Sequence, residues 1–123
     1  MHGDVTTIRP GLRVLVVEDE FLIALEIEQM LVGLGCIVVG PAPTVLRALT
    51  LIDREELDFA ILDVNLGCNR STPVAERLWA AGVPFALATG YDDRQLPEEA
   101  FHKAPHLGKR LDSHLLISAL GRL

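Results

Sequence analysis

Residues 13–20 read RVLVVEDE, and this stretch decides the fold. Arg13 to Val17 is a β-branched apolar run with no polar alternation, the pattern of a strand buried on both faces. It ends abruptly in Glu18, Asp19 and Glu20, so the strand's C-terminal end is expected to reach solvent carrying a carboxylate cluster. Strands buried on both faces belong to parallel sheets covered by helices.

The rest of the chain repeats the theme. From Phe21 to Leu34 the apolar Ile23, Ile27, Met30, Leu31 and Leu34 recur at helical spacing, and Gly33 and Gly35 close the segment. A second strand over Ile37 to Val39 runs into Gly40 and Pro41, and a second helix begins behind Thr44, an expected N-cap, with Val45, Leu49 and Ile52 inward. The third strand, Phe59 to Leu62, ends in Asp63. A third helix from Thr72 to Ala81 is expected to turn Val74, Leu78 and Trp79 toward the core. Pro84 introduces a fourth strand, Phe85 to Ala88, which ends at Thr89. A weakly marked helix near Leu96 to Phe101 and a weaker fifth strand around Pro105 to Gly108 follow. Asp112 then caps a final helix over Ser113 to Leu120. Five strands alternating with five helices give an α/β doubly wound parallel sheet, a three-layer sandwich, with ligands expected beyond the carboxyl ends of its strands.

A chain of 123 residues, half of them hydrophobic, suffices for one core and not two. Residues 1–11 are read as a flexible leader and 12–123 as the domain. Eleven basic against seventeen acidic residues give a net charge of −6, which argues against a nucleic-acid partner, since that binding rests on clustered Lys and Arg. No apolar run approaches the roughly 20 residues that span a bilayer, and the N-terminus lacks the order of a signal peptide. The two cysteines, Cys36 and Cys68, have neither the number nor the spacing of a disulfide framework or zinc site, so free thiols and a cytoplasmic location are expected.

In this arrangement Glu18 and Asp19 leave strand one, Asp63 strand three and Thr89 strand four, while Lys109 follows strand five; all converge on one edge. Clustered carboxylates repel one another unless a cation neutralises them, and oxygen ligands of this kind suit Mg²⁺, which bridges readily to phosphate oxygens. Phosphoryl transfer needs an aligned nucleophile, a metal over the equatorial oxygens and donors for the remaining charge. Asp63 can supply the carboxylate nucleophile, and Lys109 and Thr89 the donors. An acidic pair at a strand end is by itself an ordinary helix-start feature; the conjunction across four strands, with Lys109 one of only two lysines, is what carries the reading.

The segments VLVVEDE (Val14 to Glu20), ILDVNL (Ile61 to Leu66), LATGY (Leu87 to Tyr91) and HLGKR (His106 to Arg110) resemble, in order and spacing, the receiver domain of two-component response regulators, over about Leu12 to Leu123. That likeness implies a flavodoxin-like sheet of order 2-1-3-4-5. It implies that Asp63 is the phosphoacceptor, Asp19 a direct metal ligand, Glu18 a ligand through water, and Asn65 a ligand through its backbone carbonyl. Thr89 and Lys109 then bind the phosphoryl group. The LATGY segment is similar to a mostly single-domain subgroup with a Phe-Ala-Thr-Gly-Tyr-type motif, from which Leu87 departs, and Tyr91 becomes a candidate switch aromatic. Two further departures are Arg110, where the family has proline, and His106 at the usual aromatic switch position.

The resemblance implies Mg²⁺ as cofactor and a histidine kinase or histidine phosphotransfer protein as donor, in a signalling protein rather than a classical enzyme. With nothing after Leu123 in this sequence, output is expected through contact with a downstream protein. The apolar excess of the last helix marks helix four, strand five and helix five as the expected surface for that contact or for a homodimer. Three alternatives share parts of the pattern. A haloacid dehalogenase-type phosphatase requires an acid two residues after its nucleophile, where this chain has Asn65. An FMN-binding module requires a Ser/Thr/Gly-rich loop after strand one, where this chain has three acids. A receiver that binds partners without phosphorylation is favoured only by Arg110 and His106.

Overall fold

The computed structural model describes residues 8–88, 98–102, 104–108 and 112–123. Strands β1 (Arg13–Val17), β2 (Ile37–Ala42), β3 (Phe59–Leu62) and β6 (Phe85–Leu87) form one parallel sheet in the order β2-β1-β3-β6. Two short strands between β3 and β6, namely β4 (Asn65–Leu66) and β5 (Asn69–Arg70), pair antiparallel as a separate hairpin. The helices are α1 (Phe21–Gly33), α2 (Val45–Arg54), α3 (Thr72–Ala81), α4 (Glu99–His102) and α5 (Ser113–Gly121). No helix of the described residues is long and apolar enough to cross a membrane.

The alternation of side chains along each strand divides the core in two. Val14 and Val16 of β1 and Ile61 of β3 face Ile27 and Leu31 of α1 and Leu116 and Leu120 of α5. Leu15, Val17 and Leu62 face Ile52 of α2, Val74 and Leu78 of α3, and Phe101 of α4. Both faces of the sheet are thus covered, which accounts for strands that read as unbroken apolar runs. The α/β sandwich expected from the sequence is the one observed. Thr44 caps α2, its Oγ1 accepting the Arg47 N–H at 3.1 Å, and Asp112 caps α5 through the N–H groups of His114 and Leu115.

Four details differ from expectation. Among the described residues the fifth strand is represented by a single parallel bridge between Leu87 and His106, made by the Leu87 N–H on the Pro105 carbonyl at 2.8 Å and the Leu107 N–H on the Leu87 carbonyl at 2.7 Å. The hairpin β4–β5 was not anticipated, because two-residue strands carry no periodicity. Trp79 is 45% exposed rather than in the core; its ring meets Phe85 edge-on at 5.3 Å and its Nε1–H donates to the Ala100 carbonyl at 2.8 Å, so the apolar body packs inward while the polar tip stays at the rim. Finally, β2 does not stop at Val39 but continues through Gly40 and a cis Gly40–Pro41 bond to Ala42.

That last difference rests on Gly40. Its φ of +96° is open to glycine alone at little cost, and a Cβ would lie 2.8 Å from the Ala42 nitrogen and 3.0 Å from the Val16 carbonyl oxygen. The pairing of β1 with β2 shifts register here, between Leu15 and Val17, and afterwards the Ala42 carbonyl accepts the Glu18 N–H at 3.1 Å. The kink therefore keeps β2 beside β1 up to the first acidic residue. Gly40→Ala should destabilise the fold by about 2 to 3 kcal/mol; a urea midpoint equal to that of the wild type would contradict this.

Candidate functional site at the carboxyl ends of β1 and β3

The apolar run of β1 ends at Val17, and the next residue, Glu18, remains 2% exposed while Asp19 is out in solvent. Asp63 follows β3 and is 4% exposed, its N–H donating to the Val17 carbonyl at 2.9 Å. Extending this β1–β3 ladder by one bond brings the acids of two strands together. One carboxylate oxygen from each of Glu18, Asp19 and Asp63 lies within 4.8 Å of the others. The structure therefore assembles the three acids expected to meet.

Backbone donors fix these carboxylates in place. Glu18 Oε2 accepts the Glu20 N–H at 3.0 Å, and Asp19 Oδ2 accepts the Gly67 N–H at 2.9 Å across 48 residues of sequence. Gly67 sits at the tip of the β4–β5 hairpin with φ of +62°, so the hairpin presents a backbone donor to the acid on β1. Behind it, the fully buried Ser71 hydroxyl lies 2.6 Å from the Asp63 carbonyl oxygen and 3.0 Å from that of Val64, donating to this pair. Gly67 and Ser71 were not singled out from the sequence. Gly67 offers only a glycine between Asn65 and Asn69 as its signal, and Ser71 is hidden by the Thr72-Pro73 start of α3.

The donor set is all oxygen, anionic and compact, which fits a hard divalent cation such as Mg²⁺ and would not suit a soft metal. Of the remaining expected residues, Asn65 lies two positions beyond Asp63 in β4, where its side chain accepts from Arg70 at 2.9 Å. Thr89, Tyr91, Lys109 and Arg110 lie outside the described residues. His106 forms the bridge to Leu87.

Arg70 and Glu98 are two more residues that sequence reading missed. The Arg70 guanidinium meets the Glu98 carboxylate twice, Nε to Oε2 at 2.5 Å and an Nη to Oε1 at 3.2 Å, and the Thr72 hydroxyl adds a contact to Oε2 at 3.2 Å. The hydrogen bond from Arg70 is the main reason the Glu98 carboxyl is held below its usual range. A depressed acid stabilises the fold in its ionised form, fully above the unfolded value of 4.5 and progressively less as pH falls through the folded value. Denaturation midpoints of wild type and Glu98→Gln should therefore differ most above about pH 5 and converge in stronger acid. A gap independent of pH would remove the ion pair as its cause. Both cysteines are free, Cys36 buried with its thiol pushed up by desolvation and Cys68 exposed near the hairpin tip.

Known structures bear on this site directly. The chain is 41% identical to SdrG from Pseudomonas melonis Fr1, solved in its BeF3-activated conformation, over 91% of this chain and 96% of that one, with a TM-score of 0.73. It is 27% identical to the response regulator PhyR from Brucella abortus, over 95% of this chain and 49% of PhyR, with a TM-score of 0.78. This chain belongs to the receiver-domain family of response regulators. The receiver domain spans about half the length of PhyR. Its fold is also that of the receiver domain of the sensor histidine kinase PA1611 from Pseudomonas aeruginosa PAO1, at 24% identity over 91% of this chain and 96% of that one and a TM-score of 0.77; that protein was solved with a magnesium ion in its active-site cleft. No protein-family model matches the receiver domain, and no curated protein matches it.

Proposed function

We propose that this receiver domain accepts a phosphoryl group on Asp63 from a histidine kinase or histidine phosphotransfer protein, with Mg²⁺ as cofactor. The observation that carries the reading is the meeting of Glu18, Asp19 and Asp63 within 4.8 Å at the strand ends, with Asp63 itself only 4% exposed. Asp19, Asp63 and the Asn65 backbone carbonyl would hold the ion, and Glu18 would reach it through water. When bound, the ion would supply charge neutralisation for the three carboxylates and for the phosphoryl oxygens.

The chain's own residues do the rest. An Asp63 carboxylate oxygen attacks phosphorus in line; the P–N bond of the phosphohistidine breaks as the new O–P bond forms, and the leaving imidazole takes up a proton. Burial of Asp63 limits the water that could compete with its carboxylate for the incoming phosphorus. Thr89 and Lys109 would bind the remaining phosphoryl oxygens, and Tyr91 would respond to the movement of Thr89. Beside the acids, a depression of about 270 Å³ runs between α1 and the end of β2, lined by Phe21, Leu25, Pro41 and Pro43. With Phe21 and Leu22 strongly exposed, it offers the donor protein apolar contact area next to the acceptor. A downstream partner, or a second copy, would read the state of the site at α4, the segment of His106 and α5.

Incubation with acetyl phosphate and Mg²⁺ tests the reading. One phosphoryl group should add to the protein, read as a single mass increment on the intact chain and lost on addition of a chelator before the donor. A chain that stays unmodified under conditions that label another receiver domain would reject the proposal.

A further inference from the structure

We propose that Arg70 is a positioning residue of the phosphoacceptor site, a single guanidinium that orients Asn65 and, through Glu98, ties the loop after Asp63 to the start of α4. The inference deepens the function proposed above and rests on it, because it takes Asn65 to face the metal.

Three observations carry it. Arg70 stands opposite Asn65 in the β4–β5 ladder, and its Nη1–H donates to Asn65 Oδ1 at 2.9 Å. Two other donors of the same planar group are engaged by Glu98, at 2.5 and 3.2 Å, 28 residues further along the chain. Glu98 in turn is no loose surface acid: it accepts from the Thr72 hydroxyl, and its carbonyl accepts the N–H of Phe101, whose ring is fully buried in the core. The next residues are pinned as well, through the Trp79 indole on the Ala100 carbonyl. The guanidinium therefore bridges two anchored bodies.

A fork with fixed donor directions transmits orientation, whereas an ammonium in the same place supplies only charge. If Asn65 is fixed by Arg70, its peptide unit is held ready for the metal in advance of binding, and any shift of Asn65 on metal or phosphoryl arrival is delivered to Glu98 and so to α4. This route does not pass through the position where the family places its switch aromatic, which here is His106.

Charge and positioning predict opposite results, so the test separates them. A cation near the acidic cluster opposes Mg²⁺ by Coulomb repulsion; if charge were Arg70's whole effect, Arg70→Gln would bind Mg²⁺ more tightly and Arg70→Lys would bind it unchanged. Positioning predicts that Arg70→Lys, Arg70→Gln and Glu98→Gln each weaken Mg²⁺ binding by about tenfold, and that Arg70→Lys combined with Glu98→Gln loses no more than the worse single variant. Titration with Mg²⁺ alone, followed by backbone amide resonances, gives both affinity and reach. In wild type the resonances of Asp63 to Arg70 and those of Glu98 to His102 should move together. In Arg70→Lys the second group should stay still while the first still responds. In metal-free protein the Asn65 side-chain amide should already be displaced in Arg70→Lys. Unchanged affinity in Arg70→Lys, tighter binding in Arg70→Gln, or additive losses in the double variant would overturn the proposal. A wild type that shows no response to Mg²⁺ at all would instead bring down the phosphoacceptor reading, and this inference with it.

Discussion

Asp63→Asn should lose the phosphoryl adduct entirely under acetyl phosphate and Mg²⁺ while remaining folded. The carboxamide is neutral and too weak a nucleophile to attack phosphorus, and the substitution also withdraws one charge from the ion's ligands. Peptide mapping distinguishes Asp63 from its two acidic neighbours, Glu18 and Asp19, whose carboxylates lie within 4.8 Å of it. Folding should survive because Asn is nearly isosteric and the Asp63 backbone contacts, its N–H to Val17 and its carbonyl near Ser71, do not involve the side chain. Intact mass with peptide mapping is the measurement. An adduct of wild-type yield in Asp63→Asn would move the acceptor elsewhere.

Mg²⁺ should raise the melting temperature of the wild type, and the double variant Asp19→Ala, Asp63→Ala should melt higher than wild type without the ion and show no further rise with it. Carboxylates 4.8 Å apart or less repel by about 1 to 3 kcal/mol per ionised pair, toward the lower end where one partner is as exposed as Asp19. The fold accepts this cost because β1 and β3 are zipped along their whole length behind the acids. Removing two of the three charges relieves it; so does the ion, which adds linkage of about 2.7 kcal/mol at a hundredfold excess over its Kd. For a domain of this size that corresponds to a shift of about 10 °C. Scanning calorimetry with and without Mg²⁺ decides. An equal rise in both proteins would mean that the ion acts elsewhere.

The acids were legible because they follow from strand chemistry: VLVV and FAIL leave no doubt about where β1 and β3 end, so Asp19 and Asp63 could be brought together on paper. Caps were legible for the same local reason, as at Thr44 and Asp112. What escaped was non-local or irregular. Arg70 and Glu98 meet across 28 residues with no pattern linking them. Gly67 acts through its backbone, which sequence does not display. Trp79 was assigned inward on helical spacing alone, yet its indole needs the Ala100 carbonyl at the rim. Pro41 looked like the end of β2, since a proline normally interrupts a ladder, and only the conformation of Gly40 lets the strand resume.

The kink at Gly40 and Pro41 also governs what can approach the outer rim of the sheet. β2 is the terminal strand of the order β2-β1-β3-β6, and a terminal strand offers its spare N–H and C=O groups as a template for further strands, the route to edge-wise aggregation. Here the template is broken in its middle. Pro41 has no N–H to offer, and the turn of the chain at Gly40 throws the groups on either side out of line. An incoming strand would find no continuous row to dock on, so lateral growth of the sheet into fibres is blocked at this rim by the same two residues that carry β2 forward to Glu18.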